Sequence, residues 1–273
     1  MQHTLLKKLP LFKPLMRELE TLMLERQQLM QRCQELEAQL TQCDYLPLPP
    51  LALRVRVGGW EDPDHFLGVG RKIFWDLKRL LNRANKNLHT FSTILDFGCG
   101  CGRVLRFFRP VPGQHIDGTD IDQESIQWCQ THLTSLAHFR TNTDFPPLEY
   151  PDEHFDFIYC ISVFTHLPEE MQFQWLKELS RLLKPSGLFI TSIHSEQLFP
   201  VTHPDEIAVL KQQGFYYLKN MITEGLPDYY QATFHTHDYI KKNWQEFFEI
   251  LEIYPRGINN HQDAVVCRKK DET

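Results

Sequence analysis

The stretch that decides the fold is residues 93–122, TILDFGCGCGRVLRFFRPVPGQHIDGTDID. Residues 93–97 form a β-branched and apolar run that is typical of a buried parallel strand. Three glycines follow at alternate positions, and helical spacing of apolar residues begins at Arg103. Residues 116–120 supply a second apolar strand that ends on an acid. The order strand, glycine turn, helix, strand indicates the start of a doubly wound α/β sheet.

This unit also predicts a nucleoside site. A doubly wound sheet binds its ligand outside the carboxyl ends of its strands, where the first turn brings backbone close to the ligand. Asp120 stands 20 residues after Gly100, where a carboxylate can accept hydrogen bonds from both ribose hydroxyls. A dinucleotide-binding turn requires G-x-G-x-x-G, but Arg103 occupies the last glycine position. The pattern therefore disfavours NAD and favours another nucleoside-bearing cofactor.

The rest of the chain continues the alternation of strands and helices. The predicted elements are helices at 122–134 and 167–184, strands at 137–142, 155–162 and 188–193, and two last strands at 247–254 and 264–267. Strands that alternate with helices form a parallel sheet with right-handed crossovers. We therefore expect a Rossmann-like sheet with helices on both faces and an antiparallel last strand.

The loop D-x-G-x-G-x-G, with Asp96 at its start and Asp120 further on, resembles the cofactor loop of class I S-adenosylmethionine-dependent methyltransferases. The resemblance extends to FDFIYCISVFTHL at 155–167 and to LKELSRLLKPSGLFITS at 176–192. It implies S-adenosylmethionine as the cofactor and methyl transfer to a small or medium-sized metabolite, at oxygen, in secondary metabolism or glycan tailoring. N-methylation of an amine or peptide, and a catalytically silent cofactor-binding scaffold, are the alternatives.

The same resemblance assigns the cofactor residues. Asp96 is expected to order the amino end of the cofactor, and Asp120 is expected to bind its ribose. The positions after the third strand are expected at the adenine, and the end of the fourth strand at the methionine portion. The full expected set is Asp96, Gly98, Cys99, Gly100, Arg103, Asp120, Ile121, Asn142, Thr143 and Cys160.

The sequence identifies the catalytic base less clearly than it identifies the cofactor residues. His166 follows the fourth strand, where an imidazole can take a proton from the acceptor or can instead hold the loop through a backbone hydrogen bond. His235 is a second candidate, in a group of histidines after an aromatic insertion at 195–235. The H-x-H pair at 235 and 237 needs a third ligand from elsewhere, so no metal is expected. The expected substrate contacts are Trp60, His194, Tyr229, Tyr230 and His237.

Residues 12–40 carry the heptad pattern of a coiled coil. Leucines at 15, 22, 29 and 36 fill every d position, while Arg26 and Cys33 interrupt the a layer. The rival interpretation is one amphipathic helix packed on its own domain. Three parts are predicted. The first is a coiled-coil helix at 1–45 that forms a homodimer, and the second is a linker and N-terminal cap at 46–92, in which prolines at 47, 49 and 50 end the helix and are followed by a strand-like start and a helix at 64–82. The third is a methyltransferase domain at 93–273.

Charge and composition exclude several classes of partner. The 273 residues include 29 Lys and Arg against 35 Asp and Glu, a net charge of −6, which argues against nucleic-acid binding. Seven cysteines lack C-x-x-C or disulfide-framework spacing, as in a reduced cytoplasmic protein. No apolar run approaches the ~18 residues of a membrane span. We therefore expect a cytoplasmic enzyme with a small-molecule acceptor and no membrane or nucleic-acid partner.

Overall fold

The computed structural model describes residues 18–29, 32, 45–59, 61–199, 204–219 and 227–270. The chain divides into two compact units, Met1–Tyr45 and Leu46–Thr273. In the first unit, residues 18–29 are helical and their side chains are exposed. Most of the predicted coiled coil lies outside the described residues, so the pairing of this N-terminal helix stays a prediction.

The second unit is organised on one mixed sheet. Its strands are β1 (Thr93–Phe97), β2 (His115–Asp120), β3 (His138–Thr141), β4 (Phe155–Cys160), β5 (Leu183–Ser195), β6 (Phe215–Leu218), β7 (Ala232–His235), β8 (Phe248–Ile258) and β9 (Gln262–Lys269). The order β3-β2-β1-β4-β5 is parallel throughout, and β9 pairs antiparallel with β5 and with β8. This arrangement confirms the predicted Rossmann-like sheet with an antiparallel closure.

Helices cover both faces of the sheet. They are α1 (Leu51–Gly58), α2 (Pro63–Arg83), α3 (Gln123–His132), α4 (Glu169–Leu182), α5 (Pro204–Gln213) and α6 (His237–Trp244). Because side chains alternate along a strand, Ile94 of β1 enters the core under one face and Leu95 enters the core under the other.

Among the described residues, no helix has both the length and the apolar character needed to cross a bilayer.

Two predicted elements are wrong. The strand-like start before Gly58 is the helix α1, which Pro50 precedes at the N-cap. A proline at a helix start costs nothing because that backbone N–H has no intrahelical partner, and burial of Leu53 and Arg54 outweighs the strand preference of the valines. The helix predicted from Arg103 shortens to a 3-10 turn at Leu105–Phe107, because Pro110 and Pro112 soon end any helical run.

The insertion at 195–235 contains regular structure that its sequence did not predict. Its described part includes α5, β6 and β7, and β6 and β7 form an antiparallel pair. The end of β5 extends past the main sheet, where His194 and Ser195 pair with β7 in parallel. The insertion is therefore an extension of the sheet beyond the carboxyl end of β5.

Candidate cofactor and acceptor site

The central cleft opens at the carboxyl ends of β1, β2 and β4. Eight of the ten predicted cofactor residues line it, namely Asp96, Gly98, Cys99, Gly100, Arg103, Asp120, Ile121 and Asn142. The other two do not. Thr143 is exposed and donates a hydrogen bond to the carbonyl of Phe145, and Cys160 is fully buried in the core.

The glycine loop approaches its surroundings too closely for side chains. Gly98 and Gly100 have φ angles of 82° and 52°, which only glycine adopts without strain. A Cβ at Gly98 would lie 2.2 Å from Cγ2 of Val163, and one at Gly100 would lie 2.7 Å from Cγ2 of Val57. The loop therefore presents bare backbone to the cleft, as a ligand-cradling turn requires.

Asp120 is held across this loop by backbone donors. Its Oδ2 accepts a hydrogen bond of 2.7 Å from the Gly100 N–H, and its Oδ1 accepts one of 2.8 Å from the Asp122 N–H. Burial raises the pKa of Asp120 to about 6, against the opposing effect of these two bonds. Each carboxylate oxygen has a further lone pair, so Asp120 can still accept from ligand hydroxyls.

Asp96 is fixed from the neighbouring strand. The hydroxyl of Tyr159 donates a hydrogen bond of 2.7 Å to its Oδ2, and the two residues are register partners on β1 and β4. Burial raises the pKa of Asp96 to about 8, although the bond from Tyr159 opposes this shift. Tyr159 is not among the residues predicted from the sequence, although pairing LDF with IYC as adjacent parallel strands places it opposite Asp96.

Arg103 brings a buried cation to the cleft. Its side chain is 8% exposed and its Nε has no hydrogen-bond partner. Among the described residues it forms no ion pair, and burial lowers its pKa. Burying an unpaired charge is costly, so Arg103 fits a ligand that brings an anionic group into the cleft.

Asn142 lines the cleft and carries an acceptor oxygen that has no hydrogen-bond partner. Its Nδ2 donates a hydrogen bond of 2.8 Å to the carbonyl of Thr143, while its buried Oδ1 has no partner. An exocyclic amine such as that of adenine would satisfy this oxygen. Asp96, Arg103, Asp120 and Asn142 therefore fit the ammonium, carboxylate, ribose and adenine of S-adenosylmethionine.

Helix α1 lies within the segment 46–92 that was predicted as a linker and N-terminal cap, and it covers one side of the cleft, although a strand-like start was predicted there. Arg56 and Val57 line the cleft. The Arg56 guanidinium donates to both Oδ atoms of Asp122, at 2.9 and 2.8 Å, and to Glu124 at 3.0 Å. Arg56 thereby ties α1 to the N-terminus of α3.

Two predicted substrate residues, Tyr229 and Tyr230, also line the cleft. The Tyr230 hydroxyl donates a hydrogen bond of 3.1 Å to the carbonyl of Ser162, and the side chain of Tyr229 is hydrogen-bonded to that of Asp144. Trp175 also lines the cleft and was not predicted. Trp60 lies outside the described residues.

The predicted histidines do not line the cleft. His166 lies behind Tyr230, and burial lowers its pKa to about 4. His194 meets Gln262 with 3.3 Å between their Nε2 atoms, and burial is the main cause that lowers its pKa to about 3. Both therefore stay neutral at physiological pH.

The two remaining histidines are held by other partners. His235 is 0% exposed and its Nε2 bonds Oε1 of Gln172 at 2.9 Å. The Nε2 of His237 lies 2.7 Å from Asp263, which raises the pKa of the histidine. Their expected roles as base and substrate contact therefore do not fit their positions. Among the described residues, no cluster of three or more His, Cys, Asp or Glu side chains could hold a metal ion.

Comparisons with known proteins identify methyltransferases among the proteins that this chain resembles. Residues 95–189 match a family described as a methyltransferase domain. The 2-methyl-6-phytyl-1,4-hydroquinone methyltransferase of Synechocystis sp. is 31% identical over 104 residues, 37% of this chain and 31% of that protein. The phosphoethanolamine N-methyltransferase of Plasmodium falciparum is 25% identical over 193 residues, 64% of this chain and 71% of that protein.

A solved structure shows the same fold. The S-adenosylmethionine-dependent methyltransferase from Clostridium acetobutylicum superposes with a TM-score of 0.52 at 14% identity, covering 74% of this chain and 92% of that one. The chain spans less than a third of the length of the hydroquinone methyltransferase that it matches. Residues 95–189 therefore match a methyltransferase domain, and the glycine loop, strand order and polar groups of the cleft resemble those of the class I S-adenosylmethionine-dependent methyltransferases.

Proposed function

We propose that this chain binds S-adenosylmethionine in the central cleft and transfers its methyl group to a small-molecule acceptor. The presence of Asp96 and Arg103 in the same cleft supports this most directly. A buried carboxyl and a buried, unpaired guanidinium line one cleft, and they complement the ammonium and carboxylate of an amino acid. A nucleotide with a phosphate at this end would meet the carboxyl of Asp96, so the pair favours a cofactor with an amino-acid end.

The remaining groups orient the nucleoside. Asp120 would accept hydrogen bonds from the ribose hydroxyls, and Asn142 would accept one from the adenine amine. When bound, the cofactor supplies a methyl group on a cationic sulfur. The chain contributes binding, orientation and exclusion of water, and holding both reactants in line can supply roughly 7–11 kcal/mol of the barrier.

We propose oxygen as the acceptor atom, on a hydroxyl-bearing metabolite such as those tailored in secondary metabolism or glycan assembly. Asp144 supports this choice, because its carboxylate lines the cleft beside Tyr229 and can accept a proton or a hydrogen bond. An amine is the second candidate. Among the described lining residues there is no histidine or lysine, and a neutral amine brings its own lone pair. The relative from P. falciparum is also named for an amine.

The first test is calorimetric titration with S-adenosylhomocysteine, for which micromolar binding is expected. Absence of binding would overturn the proposal. In the second step the protein is incubated with methyl-labelled S-adenosylmethionine and each of two metabolite pools. One pool is untreated, and the other is acetylated to block its amines. Labelled product in both pools favours an oxygen acceptor, and its loss from the acetylated pool favours an amine. Binding without product from either pool would favour the silent scaffold.

We also propose that the N-terminal helix pairs with that of a second copy. Leu22 and Leu29 are 56% and 67% exposed, and they lie seven residues apart on one helical face. Each would contribute roughly 1.5–3 kcal/mol if buried against a partner. The heptad pattern and these exposed leucines support a homodimer.

A further inference from the structure

Backbone hydrogen bonds join the insertion to the loop after β4. The Gln231 N–H donates to the His166 carbonyl at 3.1 Å, and the Thr233 N–H donates to the Thr165 carbonyl at 2.8 Å. The Thr233 hydroxyl also donates to the Leu167 carbonyl at 2.8 Å. The chain that carries Tyr230 is therefore held to the segment that carries Ser162 and His166.

The His166 side chain completes this junction. Its Nδ1 lies 2.9 Å from the carbonyl of Gln231. Because a carbonyl only accepts, Nδ1 carries the proton and donates it. The imidazole also stacks on the Tyr230 ring, with centroids 4.1 Å apart and planes inclined by 17°. His166 thus holds the backbone after Tyr230 and the face of its ring together.

Tyr230 in turn reaches a strained residue of the cleft. Its hydroxyl donates to the carbonyl of Ser162, whose φ of 62° is unusual for a residue with a side chain. The Ser162 N–H donates to the Ser192 hydroxyl at 2.8 Å, and the Ser162 hydroxyl donates to Oε1 of Gln262 at 3.0 Å. Groups from β5, β9 and the insertion therefore fix Ser162 together.

We propose that His166 is a positioning residue and not the catalytic base: it holds Tyr230 against Ser162 and so shapes the wall of the cofactor cleft. Tyr230 lines the cleft together with Arg103 and Asp120, so loosening Tyr230 disturbs the space that the cofactor fills. This inference rests on the proposed function, because its readouts are cofactor binding and methyl transfer.

The test compares two substitutions of one residue. His166→Asn keeps a side-chain N–H near the position of Nδ1, whereas His166→Ala removes it, and neither can accept a proton as imidazole does. We expect His166→Asn to bind S-adenosylhomocysteine within about threefold of the wild type, and His166→Ala to bind about tenfold more weakly, since the donor to Gln231 is lost. Turnover of labelled S-adenosylmethionine by His166→Asn should stay within about threefold of the wild-type rate. His89→Ala, at an exposed histidine outside the cleft, is the control.

If His166 is instead the catalytic base, the two variants give a different result. Loss of a general base lowers turnover by about 100-fold or more. His166→Asn and His166→Ala would then both lose activity while binding S-adenosylhomocysteine as the wild type does. That result, or unchanged binding and turnover in His166→Ala, would overturn the inference. If His166→Ala does not fold, Tyr230→Phe provides the second test. This variant removes only the hydrogen bond to Ser162, and the inference requires that it bind S-adenosylhomocysteine more weakly than the wild type. Failure of the wild type to bind would instead reject the proposed function.

Discussion

The Tyr159 hydroxyl donates a hydrogen bond of 2.7 Å to the carboxyl of Asp96, across the adjacent strands β4 and β1. This bond favours the charged form of Asp96, which burial opposes. The proposed contact with the cofactor ammonium requires a charged Asp96. This charge therefore depends on Tyr159, which does not line the cleft.

The first prediction concerns Tyr159→Phe. Without the donated bond, Asp96 should hold its proton to higher pH, and a cationic amino end should bind more weakly. We expect S-adenosylhomocysteine affinity to fall about fivefold at pH 7, the equivalent of about 1 kcal/mol for one hydrogen bond. Titration at pH 9, where more of Asp96 is ionised, should show a smaller defect. An equal defect at both pH values would show that Tyr159 acts through packing alone.

The second prediction concerns protons released on cofactor binding. Burial raises the pKa of Asp96 to about 8, so at pH 7 most free protein carries a proton there. A bound ammonium favours the carboxylate and expels that proton, so affinity should rise between pH 7 and 8. The observed binding enthalpy should then differ between phosphate and Tris buffers, and Asp96→Asn should remove the difference. Equal enthalpies in both buffers would contradict the prediction.

The same carboxyl makes a third prediction, for stability without ligand. An acid whose pKa is higher in the folded chain than in the unfolded chain destabilises the fold as the pH rises from the unfolded value toward the folded one. For Asp96 that window runs from 3.8 to about 8. Asp96→Asn should therefore unfold at a higher denaturant midpoint than the wild type at pH 8, with the advantage shrinking toward pH 5. Glu170→Gln, at an exposed acid on α4, should show no such trend.

The fourth prediction concerns Asp120→Ala. This change removes the proposed ribose acceptor and leaves the N–H groups of Gly100 and Asp122 without their partner. We expect cofactor binding to weaken by about 1–3 kcal/mol. Asp120→Asn, which keeps one acceptor oxygen, should lose less. If calorimetry gives wild-type affinity for Asp120→Ala, the ribose lies elsewhere.

The cofactor loop could be predicted from sequence because its chemistry is local. The glycines and Asp96 are neighbours in the chain, and Asp120 ends the next strand, so parallel pairing alone brings them together. The histidines depend on longer-range geometry. His235 and His237 follow the insertion, and nothing in their spacing shows that β7 pairs with the end of β5 and buries His235 against Gln172. Helix α1 was missed because packing outweighed the strand preference of its valines.

The last prediction concerns the N-terminal helix, where the heptad pattern offers a matched pair of substitutions. Leu22 and Leu29 occupy d positions, whereas Leu24 occupies an f position and is 57% exposed. A charge at d would be buried in a paired helix, but a charge at f would stay in water. In the full chain, Leu22→Asp with Leu29→Asp should therefore convert a dimer into a monomer in sedimentation equilibrium, and Leu24→Asp should leave the dimer intact. A wild-type chain that sediments as a monomer, or a dimer that survives both d substitutions, would reject the coiled coil.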